Sequence, residues 1–163
     1  MRSSAVGLLL LGITTAVAAE ETTFSVRQLT PETALTLAQA ALASCRKQGF
    51  QVAVVVADRA GVAQVLLRDR FAGPHTVDTA ISKAWTAVSF RTSTLELMEN
   101  TAPGKPSSGV RNLPRVAAIG GGVLIEAQGS ILGAVGVSGA PIGANDDACA
   151  RAGIKAIADR LEF

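Results

Sequence analysis

Two short runs of β-branched and aliphatic residues, QVAVVVA at 51–57 and VAQVLLR at 62–68, flank Asp58-Arg59-Ala60-Gly61. Apolar runs of this length, parted by four turn-forming residues, read as an antiparallel hairpin. The hairpin commits the chain to a sheet. Its near-continuous apolar character demands cover on both faces, by helices on one side and by another subunit on the other.

The remaining elements follow from local signals. Thr23 to Leu29 reads as an extended lead-in, and Thr30-Pro31-Glu32 opens a helix with a capping hydroxyl, a proline in the first turn and a carboxylate facing the dipole. That helix runs from Pro31 to Gln48 with Leu35, Ala38, Leu42 and Cys45 as its apolar stripe, and Gly49 takes the left-handed closing conformation. Beyond the hairpin, DRFAGPH at 69–75 is a loop, and a second helix capped by Thr76 carries Ile81, Ala84, Trp85 and Val88 to about Phe90. Ser93-Thr94-Leu95-Glu96 is a capping box that restarts a short helix to Asn100. After the breaker-rich loop at 102–109 come strands at 116–119, 123–126 and 130–138, the last two joined by a tight turn at 127–129. A final helix starts at Asn145, with Asp146 and Asp147 in its first turn, and reaches Leu161. The order is α-β-β-α-α-β-β-β-α, an α/β (α+β) chain with an antiparallel sheet of about five strands and helices packed on it.

The first 19 residues read as an export signal rather than as part of the fold: Arg2 gives a basic start, Ala5 to Val17 an apolar run, and Ala16-Val17-Ala18 a small-x-small cleavage site. The apolar run is shorter than the ~20 residues of a spanning helix, so a periplasmic or secreted product is expected, with residues 20–163 as one domain. An oxidising compartment would allow Cys45 and Cys149, the two cysteines of the chain, to form a disulfide, although sequence alone leaves the pairing open.

Several function classes fall away. The net charge is +2 with basic residues scattered, and one Trp, five Phe and no Tyr offer no stacking platform, which disfavours nucleic acid as a partner. Gly120-Gly121-Gly122 leads into a strand with no lysine after it, unlike a phosphate loop. Gly136-Val137-Ser138-Gly139 lacks the G-x-S-x-G register of a hydrolase. Glu96 and Glu99 share a helical face, but two carboxylates alone are an incomplete hard-metal site and read as solvated surface. A single histidine, His75, excludes a multi-histidine zinc site, and the absence of C-x-x-C-H excludes covalent c-type haem.

Taken together, VAVVVADRAG at 52–61, AISKAWTAVSF at 80–90, IGGGVLI at 119–125, GSILGAVGVSG at 129–139 and DDACARAG at 146–153 resemble the GlcG/HbpS-like family over essentially the whole mature chain. The resemblance implies a profilin-like or roadblock-like fold and a homo-oligomer. It also implies haem binding or haem degradation, or an accessory role such as that of a domain fused to a corrinoid adenosyltransferase or of a glycolate-operon product. On that footing the expected function is an exported, non-covalent haem binder that sequesters, carries or senses haem, a binding protein being favoured over an enzyme. A haem-degrading enzyme and an accessory module for a small organic acid or corrinoid are the alternatives. His75, in a loop just before a helix, is the expected axial ligand of the haem iron. Phe71 is a ring contact, and Arg68, Arg70, Arg91, Arg111 and Arg115 are candidates to pair with the propionates, Arg70 and Arg111 first because they flank loops.

Overall fold

The computed structural model describes residues 21–162, so the expected export signal lies outside the described residues. Four α-helices, α1 (Pro31–Lys47), α2 (His75–Phe90), α3 (Thr94–Asn100) and α4 (Gly143–Lys155), pack about four strands, β1 (Ala53–Asp58), β2 (Ala63–Arg68), β3 (Gly122–Ala127) and β4 (Ser130–Ser138). The strands form one antiparallel sheet in the order β2-β1-β4-β3.

β1 lies inside the sheet and is buried on both faces. Val54 and Val56 join Val135, Val137 and Ile125 beneath α1 and α4, while Ala53, Val55 and Ala57 meet Ala80, Ala84 and Ala87 of α2. Helices of this chain therefore cover both sides of β1, where the sequence suggested another subunit on one of them. β2 is an edge strand and differs: Val65 and Leu67 pack on the core, whereas Leu66 and the preceding Val62 stay exposed.

Close approach of α2 to the sheet depends on one residue. A Cβ on Gly136 would stand 2.0 Å from the Ala80 carbonyl oxygen and 2.8 Å from the Ala84 amide, so only glycine lets the helix backbone lie directly on β4.

Most local signals are realised. The Thr30 hydroxyl accepts from the Thr33 amide, Gly49 closes α1 at φ +80°, the Ser93 hydroxyl accepts from the Glu96 amide, and Gln128 and Gly129 both take positive φ in the β3–β4 turn. In the β1–β2 turn, Asp58 Oδ1 accepts from the amides of Ala60 and Val62 at 2.8 and 2.9 Å.

Five expectations need correction. Residues 116–119 form no strand, so the sheet has four strands and not five, and the profilin-like or roadblock-like expectation is met only in its helix-covered antiparallel sheet. The backbone there is held by a helix side chain instead, Thr86 Oγ1 accepting from the Ala117 amide, and Thr94 Oγ1 accepts from the Gly122 amide where β3 begins. Leu35 lies on the exposed side of α1, whose buried stripe is Ala34, Leu37, Ala38, Ala41, Leu42 and Cys45. Thr76 does not cap α2: the helix begins at His75, and the Thr76 hydroxyl donates back to the Gly73 carbonyl at 2.7 Å. Asn145 does not cap α4, which starts at Gly143 after Ile142. Nor does α4 reach Leu161, since it ends at Lys155 and a 3₁₀ turn at Ala158–Arg160 follows.

Cys45 of α1 and Cys149 of α4 are joined by a disulfide with Cα atoms 5.5 Å apart. The bond lies in the layer opposite α2. No helix among the described residues is long and apolar enough to cross a membrane.

Candidate functional site

The loop from Asp69 to Pro74 is anchored at its first residue. Asp69 is buried, and its carboxylate takes a bidentate pair from Arg46 of α1, Nε to Oδ2 at 2.7 Å and the second nitrogen to Oδ1 at 2.9 Å. Oδ1 also accepts from the Arg70 amide at 2.8 Å. The Arg46 guanidinium, with desolvation opposing it and the Arg70 amide assisting, holds the Asp69 carboxyl down at about 2. The Asp69 amide donates to the Val52 carbonyl, and the Arg68 guanidinium donates to the Ala72 carbonyl, so the backbone folds back on itself before α2 begins.

That anchored loop and the first residue of α2 carry three of the residues singled out from the sequence. Phe71 is 79% exposed, a large apolar ring presented to solvent. His75, the first residue of α2, is exposed, and its imidazole rests over Gly73: a Cβ there would lie 2.7 Å from Cε1 and 2.9 Å from Nδ1. Arg70 is exposed, and its side chain makes no hydrogen bond within the described residues. All three side chains are exposed, so the loop presents them as a ledge on the surface. Four concavities of about 270 to 430 Å³ among the described residues are lined by other elements.

Arg111 is placed elsewhere. It lies in a 3₁₀ turn at Ser108–Asn112, and its guanidinium donates to the carbonyls of Thr101 and Met98, satisfying the C-terminal end of α3. Arg115 stacks over Trp85 at 5.0 Å. Arg91 caps the far end of α2 from His75. Glu96 accepts from the Thr92 hydroxyl, and no group of three or more metal-ligating side chains occurs among the described residues.

Sequence reasoning missed a buried ion pair. Lys83 of α2 donates to Asp146 Oδ2 at 2.8 Å and to the Val137 carbonyl at 2.9 Å, while Asp146 Oδ1 accepts from the Ala140 amide at 3.0 Å. Both side chains are out of solvent. Burial pushes the Lys83 ammonium down and the Asp146 carboxyl up, and their mutual attraction opposes both shifts. The middle glycine of the triplet covers the pair, for a Cβ on Gly121 would stand 2.9 Å from Nζ. The glycines are thus packing devices over a charge pair. A signal was present, since Thr76, Ala80, Lys83, Ala84 and Ala87 share one helical face, and the bulkier stripe at 81, 85 and 88 masked it.

A family model described as haem degrading protein, HbpS-like, matches residues 29–155. The chain belongs to the HbpS-like family. HbpS of Streptomyces reticuli, solved as a double mutant, is 36% identical with a TM-score of 0.77, covering 88% of this chain and 97% of that one. A PduOC:haem complex is 30% identical with a TM-score of 0.75, covering 80% and 95%. Among curated relatives, an uncharacterised 15.0 kDa protein of the dhaT-dhaS intergenic region of Citrobacter freundii is 30% identical over 72% of this chain and 84% of its own length. The corrinoid adenosyltransferase PduO of Salmonella typhimurium is 35% identical over 101 residues, which span only 30% of that enzyme. The similarity to PduO therefore covers a minor part of it.

Proposed function

We propose that this HbpS-like chain binds haem non-covalently on the ledge formed by Arg70, Phe71 and His75, and acts to sequester, carry or sense it. The observation that carries the reading is the chain's single imidazole, exposed at the end of an anchored loop that also exposes a phenyl ring four residues earlier, in a protein whose fold is shared with a PduOC:haem complex. Haem, when bound, supplies a redox-active iron. His75 offers the iron a ring nitrogen, Phe71 an apolar surface for one face of the macrocycle, and Arg70 a cation for a propionate. The residues fit this role on one side only, because an open ledge covers one face of a flat ligand. A second subunit supplying the other face is part of the proposal, and makes the protein a homo-oligomer. Export to an oxidising compartment is also part of it, supported by the signal-like first 19 residues and by the disulfide. Arg111 belongs to the reading only as a loop brace.

Titration of the purified protein with hemin tests the site. A Soret band that sharpens and saturates at a fixed stoichiometry is expected, and His75→Ala should lose that spectral change, while circular dichroism shows the fold intact. No Soret change in the wild-type protein overturns the reading. Incubating the complex with ascorbate and oxygen separates binding from degradation: a binder returns intact haem, and loss of the Soret band with iron release would reassign the chain as a degrading enzyme.

A further inference from the structure

At the other end of α2 from His75, three tight connections meet around a cavity of about 270 Å³ lined by Arg59, Val88, Arg91, Gly129, Ser130 and Ile131. Arg59 comes from the β1–β2 turn, Arg91 from the C-terminus of α2, Gly129 from the β3–β4 turn and Ser130 from the start of β4. No acidic side chain lines it. Neither guanidinium makes a hydrogen bond or ion pair within the described residues, so two like charges share one concavity with nothing of this chain between them.

Both arginines stand on fixed backbone. Asp58 spends its Oδ1 on the amides of Ala60 and Val62, and Gly61 seats the turn against α2, where a Cβ would come within 2.7 Å of Trp85 Cδ1. Arg59 is therefore held between two clamped positions. Arg91 occupies the left-handed conformation, φ 53° and ψ 40°, at a helix end where glycine is the unstrained choice. Its amide bonds the Ala87 carbonyl, but its side chain makes no hydrogen bond to the terminal carbonyls of α2. The side chain is thus not needed for the cap, which the backbone amide already makes. It places a guanidinium at the cavity instead.

We propose that this cavity is a binding site for a small oxyanion, a phosphate or carboxylate group held between the Arg59 and Arg91 guanidiniums. Planar guanidinium forks match such groups bidentately, Ser130 adds a hydroxyl, and the volume lies just below the usual range for drug-sized ligands, which begins at about 300 Å³. The site is separate from the haem ledge: α2 carries 16 residues at a rise of about 1.5 Å each, which sets His75 and Arg91 about 24 Å apart along the axis. Arg91 accordingly cannot hold a propionate of a haem ligated by His75 of the same chain.

Amide chemical shifts recorded during titration with inorganic phosphate, succinate and chloride, at constant ionic strength, test the site. Saturable shifts at Arg59, Arg91, Gly129 and Ser130 are expected for phosphate or succinate, with Kd of about 1 mM or tighter. Whichever anion saturates assigns the class. Arg59→Gln and Arg91→Gly should each weaken binding by about tenfold or more. Arg91→Gly should also raise the melting temperature, so its loss of binding cannot come from misfolding. Chloride shifting the same amides as strongly, linear unsaturated shifts with both oxyanions, or unchanged binding in the two variants would overturn the proposal. The hemin titration reads the other end of α2, and failure there leaves this test standing.

Discussion

With both carboxylate oxygens engaged by Arg46 and one also by the Arg70 amide, Asp69 fixes the loop that presents Phe71 and His75. Its folded pKa of about 2 lies below the ordinary 3.8, so this anchor's contribution is present above 3.8 and is lost as the pH falls through about 2. Arg46 is half exposed, and solvent screening limits the pair. Asp69→Asn should therefore cost about 1–3 kcal/mol near neutral pH and flatten the acid limb of a stability profile measured by urea denaturation at stepped pH. A variant whose acid limb matches the wild type would remove Asp69 as the anchor. The exposed position of His75 and Phe71 was legible in the sequence, because a non-periodic, turn-rich stretch reads as a surface loop. Asp69 was not, for its partner lies 23 positions upstream at a helix end where an arginine is already accounted for by the dipole.

Between α2 and the sheet, packing is backbone on backbone. Gly136→Ala would drive a methyl group into the Ala80 carbonyl and the Ala84 amide, neither of which is a flexible side-chain end. Lifting the helix is the only relief, and a loss of about 3 kcal/mol or more is expected in the urea midpoint at unchanged slope. An alanine variant as stable as the wild type would show that α2 is not seated as described. The same element explains where sequence reading succeeded and where it stopped. The caps at Thr30 and Ser93, the tight turns and the left-handed closure at Gly49 are decided within a few residues and were legible, whereas the caps expected at Thr76 and Asn145 were not realised. The stretch at 116–119 has strand-like residues, yet its Ala117 amide is claimed by Thr86 of α2, a competition that local pattern does not contain. Lys83 was hidden because its partner Asp146 lies 63 positions away.

For the molecule as a whole, the Cys45–Cys149 disulfide is the covalent long-range constraint on the described chain, closing a separation of 104 residues. Cross-linking positions that far apart restricts the unfolded ensemble, and removing the bond by Cys45→Ser with Cys149→Ser is expected to cost about 2–5 kcal/mol. Denaturation with and without a reductant checks it: coincident curves would show that the bond adds nothing to the native state. The family resemblance and the antiparallel sheet between helices could be read from the sequence, whereas the pairing of the cysteines could not, because it depends on α1 and α4 lying side by side. That adjacency has a consequence for biosynthesis. A polypeptide emerging from its amino end exposes the thiol of Cys45 and the greasy side of α1 long before the segment that shields them exists, so an intermolecular mispairing or a sticky encounter has the whole interval in which to occur.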